Sequence, residues 1–230
     1  MGSRADRPRR CEHRAAALDK SELHWHLMRM ATYAESVRVL QPIIGQLFDA
    51  IQTGLKSATE DHADRGLFRR DDQHFYVHSV RRIACDRLRA DGLQVTNERG
   101  RPFNALSGLL VFYNHTLLKV LRVSEDPKKS SVTIPAPGRS KRRQDFWAQR
   151  PSPALPGMET DNLLLLWNDV EGQLVDRMIL ARPLGGDHKR SNTRVEWVGK
   201  LTRQMASLRA ADLDELTPDQ YHQQLGDQGP

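Results

Sequence analysis

The chain has 230 residues, 38% of them hydrophobic, which is enough to build one substantial core. Two cysteines, Cys11 and Cys85, cannot form a disulfide framework, and no apolar run has membrane-spanning length or the form of a signal-peptide core, so the expectation is a soluble cytoplasmic protein. Thirty-five Lys and Arg against 29 Asp and Glu leave a net charge of +6, which favours an anionic partner if the charge is clustered.

Residues 1–17 read as a disordered basic tail, because "MGSRADRPRRCEHR" carries arginines without apolar periodicity. The region 18–92 is expected to be helical. Leu23, Leu27, Met30, Ala34 and Val37, then Ile43, Ile44, Leu47, Phe48, Ile51 and Leu55, fall at helical spacing. Pro42 cannot donate an interior helix hydrogen bond, so it either kinks one long helix or opens a second; the favoured reading is two helices, over 20–40 and 42–57, with "SATEDHADRG" as the loop that follows. A third helix is predicted over 72–91, with Phe75, Val80, Ile83, Ala84 and Leu88 on its apolar side, a basic opposite face, and Gly92 closing it.

Beyond "LQVTNERGRPF" the period changes from helical to extended. "LLVFYNHTLLKVLRV" divides at Asn114-His115, residues that tolerate the positive φ of a tight hairpin turn. "NLLLLWN" and "QLVDRMILAR" repeat that plan around a turn at "DVEG", and the unbroken apolar run of "NLLLLW" suits a central strand buried on both faces. "RVEWVGKL" is a fifth strand, with Val195, Trp197 and Gly199 assigned to one face. These assignments make 93–203 a sheet region sharing one core with the helices and interrupted by a basic insert at 127–153. The acidic segment 204–230 is expected to end in a short helix at "TPDQYHQQL". The fold class is α+β, with N-terminal helices packed on a mostly antiparallel sheet of about four to six strands.

Charge is concentrated in the insert. In residues 127–150, seven basic residues against Asp145 give +6, equal to the net charge of the whole chain, while 182–203 add +4 and 204–230 come to −4. Within "PAPGRSKRRQDFWAQRPSP", Gly138 permits unusual backbone angles and Ser140 can cap a helix of two to three turns. Lys141, Arg142 and Arg143 in its first turn oppose the helix dipole unless an anion is near, and backbone amides with arginine forks make a phosphate or carboxylate site. The plainer alternative is a solvated linker held by Phe146 and Trp147 against the sheet. The candidate anion-binding residues are Arg139, Ser140, Lys141, Arg142 and Arg143, with Lys128, Lys129, Arg81 and Arg82 assisting.

Other chemistry is weakly encoded. Arg81, Arg82, Arg87 and Arg89 on the third helix could serve as a DNA-recognition face, though such a face is more often merely solvated. His74 and His78 share a helix side, but Phe75 stands where a zincin motif has Glu, and His24 with His26 or Cys11 with His13 make poorer pairs. No metal site or cofactor is therefore assigned. Asp169, Asp176, Glu196 and Lys200 are the residues that a Mg²⁺-dependent nuclease reading would have to use, against their plain role as charged turn residues. The leading expectation is a non-enzymatic binder of nucleic acid or another polyanion. A regulatory partner in a toxin–antitoxin-like or other two-protein system, docking or dimerising through its N-terminal helices, is the alternative, and the nuclease comes third.

Overall fold

The first helix, α1 (Tyr33–Asp64), opens on "TYAE", a reciprocal capping box. The Glu35 amide donates to Thr32 Oγ1 at 3.2 Å and the Thr32 amide donates to the Glu35 carboxylate at 2.7 Å. Those bonds hold the Glu35 carboxyl below its usual pKa. The computed structural model describes residues 31–67, 72–96, 108–123, 133–151, 160–189 and 192–219, all within the unit Ala31–Pro230.

The expected break at Pro42 does not occur, because α1 runs through it without interruption. Pro42 is exposed, and so is Arg38, whose carbonyl loses its helical donor, so water can satisfy that group. On the opposite side Val37, Leu40, Ile44, Leu47, Ile51, Leu55 and Ala58 are buried, and this packing outweighs the one missing bond. The stripe continues into the stretch expected to be a loop. Ala58 and His62 are both buried, and His62 Nδ1 lies 2.8 Å from the Ala58 carbonyl oxygen. The part of the first predicted helix before residue 31 lies outside the described residues.

Helix α2 (Gln73–Ala90) matches its expected span, starting from Asp72, whose carboxylate accepts from the Phe75 amide at 2.9 Å. Gly92 follows with φ of 82°, the left-handed conformation expected after a helix end. The buried stripe is Tyr76, Val80, Ala84, Cys85 and Leu88, displaced from the expected set because Phe75 and Ile83 are only partly covered. It meets α1 at Gly54, where a Cβ would stand 2.5 Å from the Val80 carbonyl oxygen. Only glycine allows this approach.

The sheet contains β1 (Gln94–Thr96), β2 (Leu109–Tyr113), β3 (Thr116–Arg122), β4 (Asp161–Trp167), β7 (Arg177–Asp187) and β8 (Asn192–Thr202), in that spatial order. A small side hairpin, β5 (Asp169–Val170) with β6 (Gln173–Leu174), occupies the "DVEG" turn. Asn114 and His115 turn β2 into β3 with φ of 42° and 62°, as their side-chain chemistry allows. The architecture is α+β and mostly antiparallel. The exception is the β3–β4 pair, which is parallel, with Leu118 opposite Leu163 and Val120 opposite Leu165. Parallel neighbours need a crossover rather than a hairpin, and the chain between 123 and 160 supplies it. A short helix, α3 (Lys141–Trp147), lies within this crossover.

Both sheet faces are therefore covered. Leu109, Val111, Leu118, Val120, Leu163, Leu165, Met178, Leu180, Trp197 and Leu201 join the cluster that includes α1 and α2. Leu110, Leu117, Leu164, Leu166, Ile179, Ala181 and Val198 join Ile134, Phe146 and Trp147 on the other side. This two-sided burial accounts for the unbroken apolar run in β4.

Strand β8 departs from the expected alternation. Arg182 stands opposite Trp197 and Pro183 opposite Val195, so Glu196 is the extra residue of a β-bulge. Val195 consequently packs on the α3 side while Trp197 packs on the α1 side. Gly199 faces Tyr33, whose ring would lie 2.4 Å from a Cβ there, and the Tyr33 hydroxyl donates to the Lys200 carbonyl.

Burial, with the Asp219 charge adding to it, pushes the Tyr33 pKa up to about 12. Folding therefore favours the protonated phenol, a contribution present below the ordinary tyrosine pKa near 10 and lost as the pH rises toward 12. Stability measured by urea unfolding should fall over that interval more steeply for the native chain than for Tyr33→Phe. Equal pH slopes would remove Tyr33 from the account.

After β8 come a 3₁₀ turn (Arg203–Ser207) and α4 (Ala210–Asp214). The helix expected to start at Thr217 is not present over 217–219, where Asp219 instead bridges β8 at Val198, and the rest of it lies outside the described residues. Backbone pairing at this edge replaces the first turn, with the Asp219 amide donating to the Val198 carbonyl at 2.7 Å.

Candidate functional site

The basic insert is fastened to the back of the sheet by its apolar and amide side chains. Phe146 and Trp147 are buried, and Trp147 Nε1 donates to the Pro135 carbonyl at 3.0 Å. Lys119 of β3 is 1% exposed, and its ammonium lies 5.7 Å from the Phe146 ring centre and 5.9 Å from that of Trp147. The "FW" pair is thus a lid over a buried cation.

Gln149, with φ of 57°, completes the attachment. Pro183 has no amide hydrogen, and the register between β4 and β7 runs only over Leu164–Leu166 opposite Ala181–Ile179. Beyond its end, Gln149 Nε2 donates to the carbonyls of Asn162 and Pro183, each at 2.8 Å, and the Asn162 amide donates to Gln149 Oε1 at 2.9 Å. Asn162 returns two donations, to the carbonyls of Phe146 and Arg150. One side chain continues the ladder across the proline.

The charged residues sit on the outer side of this anchored segment. Arg139, Ser140, Lys141 and Arg142 are exposed and Arg143 is partly covered. Among the described residues, Arg139, Lys141 and Arg142 make no ion pair. Asp145, the acid of the same helix, is engaged by Arg150 at 2.9 Å. Gly138 has φ of 74°, and Gln144 Nε2 donates to the carbonyls of Gly138 and Arg139, which ties the approach of the chain to α3. Ser140 occupies the N-cap position, but its side chain makes no capping hydrogen bond. The helix has seven residues, so charge on its side chains outweighs its dipole.

Arg81 and Arg82 belong to α2, which packs on the α1 side of the sheet rather than on the α3 side. Burial lowers the Arg81 pKa and the Arg143 guanidinium lowers it further, while Arg81 Nε donates to the Val77 carbonyl at 3.3 Å. Arg82 pairs with Asp86 on its own helix at 3.2 Å, Arg89 also reaches Asp86, and Arg87 reaches Asp91. The basic face of α2 is thus largely neutralised along its own length. Lys128 and Lys129 lie outside the described residues, as do Cys11, His24 and His26.

No group of three or more His, Cys, Asp or Glu among the described residues is arranged to hold a metal ion. The acids considered for Mg²⁺ are separated. Asp169 receives Arg122 Nε at 2.9 Å just beyond the end of β4, whereas Glu196 pairs with Arg182 near that strand's beginning. Lys200 pairs with Asp219. A cavity of about 620 Å³ opens beside Phe48, Gln52, Leu174, Asp176, Arg203 and Ser207. Its Gln52 bonds Gln173 and the Leu174 amide, and its Arg203 pairs with Asp49, so these polar groups are already occupied.

The β7–β8 hairpin was weighted in the sequence only by its charge, yet it abuts the insert. Thr193 Oγ1 donates to the same Pro135 carbonyl at 2.8 Å, and His188 Nδ1 lies 3.4 Å from Gln144 Nε2. A Cβ on Gly186 would stand 3.0 Å from Pro137 and 2.5 Å from the Asn192 carbonyl oxygen, which requires glycine at this crossing. The consecutive glycines before a basic turn were the signal of a close approach. The chain is thus an α+β protein whose crossover segment presents cations on the sheet's second face. No family model, curated protein sequence or solved structure matches it. No helix among the described residues is long and apolar enough to cross a membrane.

Proposed function

We propose that the protein binds nucleic acid, without catalysing a reaction on it, through Arg139, Lys141, Arg142 and Arg143. The observation that carries this reading is that Arg139, Lys141 and Arg142 are exposed and make no ion pair among the described residues, on an anchored segment, while most of the other described arginines face an acid. A linker held by Phe146 and Trp147 would be anchored in the same way, so the reading rests on the outward-facing cations and not on the anchoring. Cytoplasmic location is part of the same proposal. The alternative reading, docking through the N-terminal helices, finds the apolar stripe of α1 from Tyr33 to Ala58 already taken up in the core.

Fluorescence anisotropy with a labelled 20-nucleotide strand and the corresponding duplex, at fixed low salt, tests the proposal. The variant with alanine at 139, 141, 142 and 143 should bind at least about tenfold more weakly, because each phosphate contact contributes to affinity through counterion release. Circular dichroism and urea unfolding should match the native chain, since the first three of these side chains are exposed. Unchanged binding by a folded variant would refute the reading.

A further inference from the structure

We infer that His188, at the turn of the β7–β8 hairpin, is a proton-operated contact of the same surface: nucleic acid is held more tightly when this imidazole is protonated, and binding takes up the proton. The inference rests on the nucleic-acid reading and states how acidity regulates that site.

Gln144 of α3 places the ring. Its Nε2 donates to the carbonyls of Gly138 and Arg139, at 3.3 and 3.4 Å, and lies 3.4 Å from His188 Nδ1. Two carbonyls on one side-chain nitrogen fix which end of the amide points this way. An amide nitrogen has only hydrogens to offer, so Nδ1 accepts, and the imidazole in this contact is the neutral form with its hydrogen on Nε2. Lys141 precedes Gln144 by three residues and so lies along the same side of α3. His188 is therefore set beside Arg139 and Lys141, two of the exposed cations of the insert. Thr193 and Gly186 hold the hairpin there independently, through Pro135 and Pro137.

The charges around the ring give the sign. From the insert come Arg139, Lys141 and Arg143, whose guanidinium would lie 3.7 Å from a Cβ on Gly138. From the hairpin come Lys189 and Asp187, whose carboxylate accepts the Lys189 amide at 2.8 Å. A phosphate drawn to Arg139 and Lys141 brings negative charge up to the imidazole and favours its cationic form. A protonated Nδ1 cannot accept from Gln144, so the contact opens and the ring becomes a charged donor to the phosphate. Histidine is the side chain that ordinarily changes charge between pH 5 and 8, and His188 is half-buried, so protons reach it. Ligand and proton each favour the binding of the other.

The test measures the affinity of the full chain for a labelled 20-base-pair duplex, in a salt series at pH 6 and at pH 8. It compares the native protein with H188Q, H188K and, as a control, H74Q, which alters an exposed histidine of α2. The native chain should bind about fivefold more tightly at pH 6, with a slope of log K against log salt steeper by up to about 0.9, the share of one added phosphate contact. H188Q keeps an acceptor for Gln144 but takes no proton, and at both pH values it should bind as the native chain does at pH 8. H188K should bind at both as the native chain does at pH 6, and H74Q should keep the native difference. Circular dichroism should show all variants folded, because the Asp187 amide and Asn192 shape the turn without the imidazole. Equal native binding at the two pH values, an H188Q that retains the difference, or an H188K no tighter than H188Q would each overturn the inference and leave the nucleic-acid reading standing. No native binding at either pH would end both.

Discussion

Arg182→Met should destabilise the protein by about 3–5 kcal/mol, read as a fall in the urea midpoint at constant m-value. Arg182 is 3% exposed, and its Nε donates to Asp161 at 2.7 Å while its other nitrogen pairs with Glu196. These bonds join three strands at the place where β8 bulges. Removing the cation leaves the partly buried Asp161 carboxylate without its partner, next to that of the more exposed Glu196. Burial already lifts the Asp161 pKa, Arg182 opposes the lift, and Glu196 adds to it. Without Arg182 the rise should be larger, so the variant should recover part of its loss as the pH falls and Asp161 takes up a proton. Arg182→Met combined with Asp161→Leu and Glu196→Leu should return to within about 2 kcal/mol of the native chain, because a buried ionic group can be replaced as a unit far more cheaply than it can be broken. A loss under about 1 kcal/mol for the single variant would show that the group is solvated.

Trp147→Ala should cost about 3–5 kcal/mol and should also weaken nucleic-acid binding. Trp147 is 1% exposed, donates to Pro135, and covers Lys119 together with Phe146. Truncation opens a cavity over a buried ammonium and releases the Pro135 carbonyl, which also accepts from Thr193 of the hairpin. Both basic segments lose an anchor at once. Trp147→Phe retains most of the packing without the indole donor and should lie between the two. Native-like stability for Trp147→Ala would mean that the crossover is not fastened as described. If the variant remained folded with loose α3 yet bound nucleic acid fully, the link between anchoring and binding would be broken.

The fold was largely legible because hydrophobic period and turn chemistry act locally. Asn114-His115, Gly92 and the spacing of Val80, Ala84 and Leu88 each announce their role within a few residues. Misreadings arose where a distant partner decided the outcome. Pro42 ends a helix by its own chemistry, but the buried stripe around it belongs to the sheet. "SATEDHADRG" looks like a loop because its two core positions are alanine and histidine. The Glu196 bulge reverses Val195 against Trp197, and the cause lies in pairing with β7. The parallel β3–β4 pair was hidden because a crossover and a long insert have the same length in sequence.

The candidate site was legible as charge and illegible as arrangement. A count of Lys and Arg located residues 139–143, and Gly138 marked their turn. The same count gave Arg182 and Arg194 equal weight, although one is sealed in an ion-pair group and the other faces solvent. It likewise made α2 look basic, because Asp86 and Asp91 act only through helical proximity. Glutamine 149 gave no signal at all, since its importance depends on a proline in another strand.

The central claim is that the anchored crossover segment holds nucleic acid by its phosphates. The most direct measurement is the equilibrium constant of the unmodified full chain for a 20-base-pair duplex, across a series of salt concentrations. Binding should be detectable at low salt, and log K should fall linearly with log salt, with a slope near −0.9 for each phosphate engaged, hence about −3 or steeper if the cations of the insert each engage one. No binding at low salt, or an affinity that does not change with salt, would contradict the account.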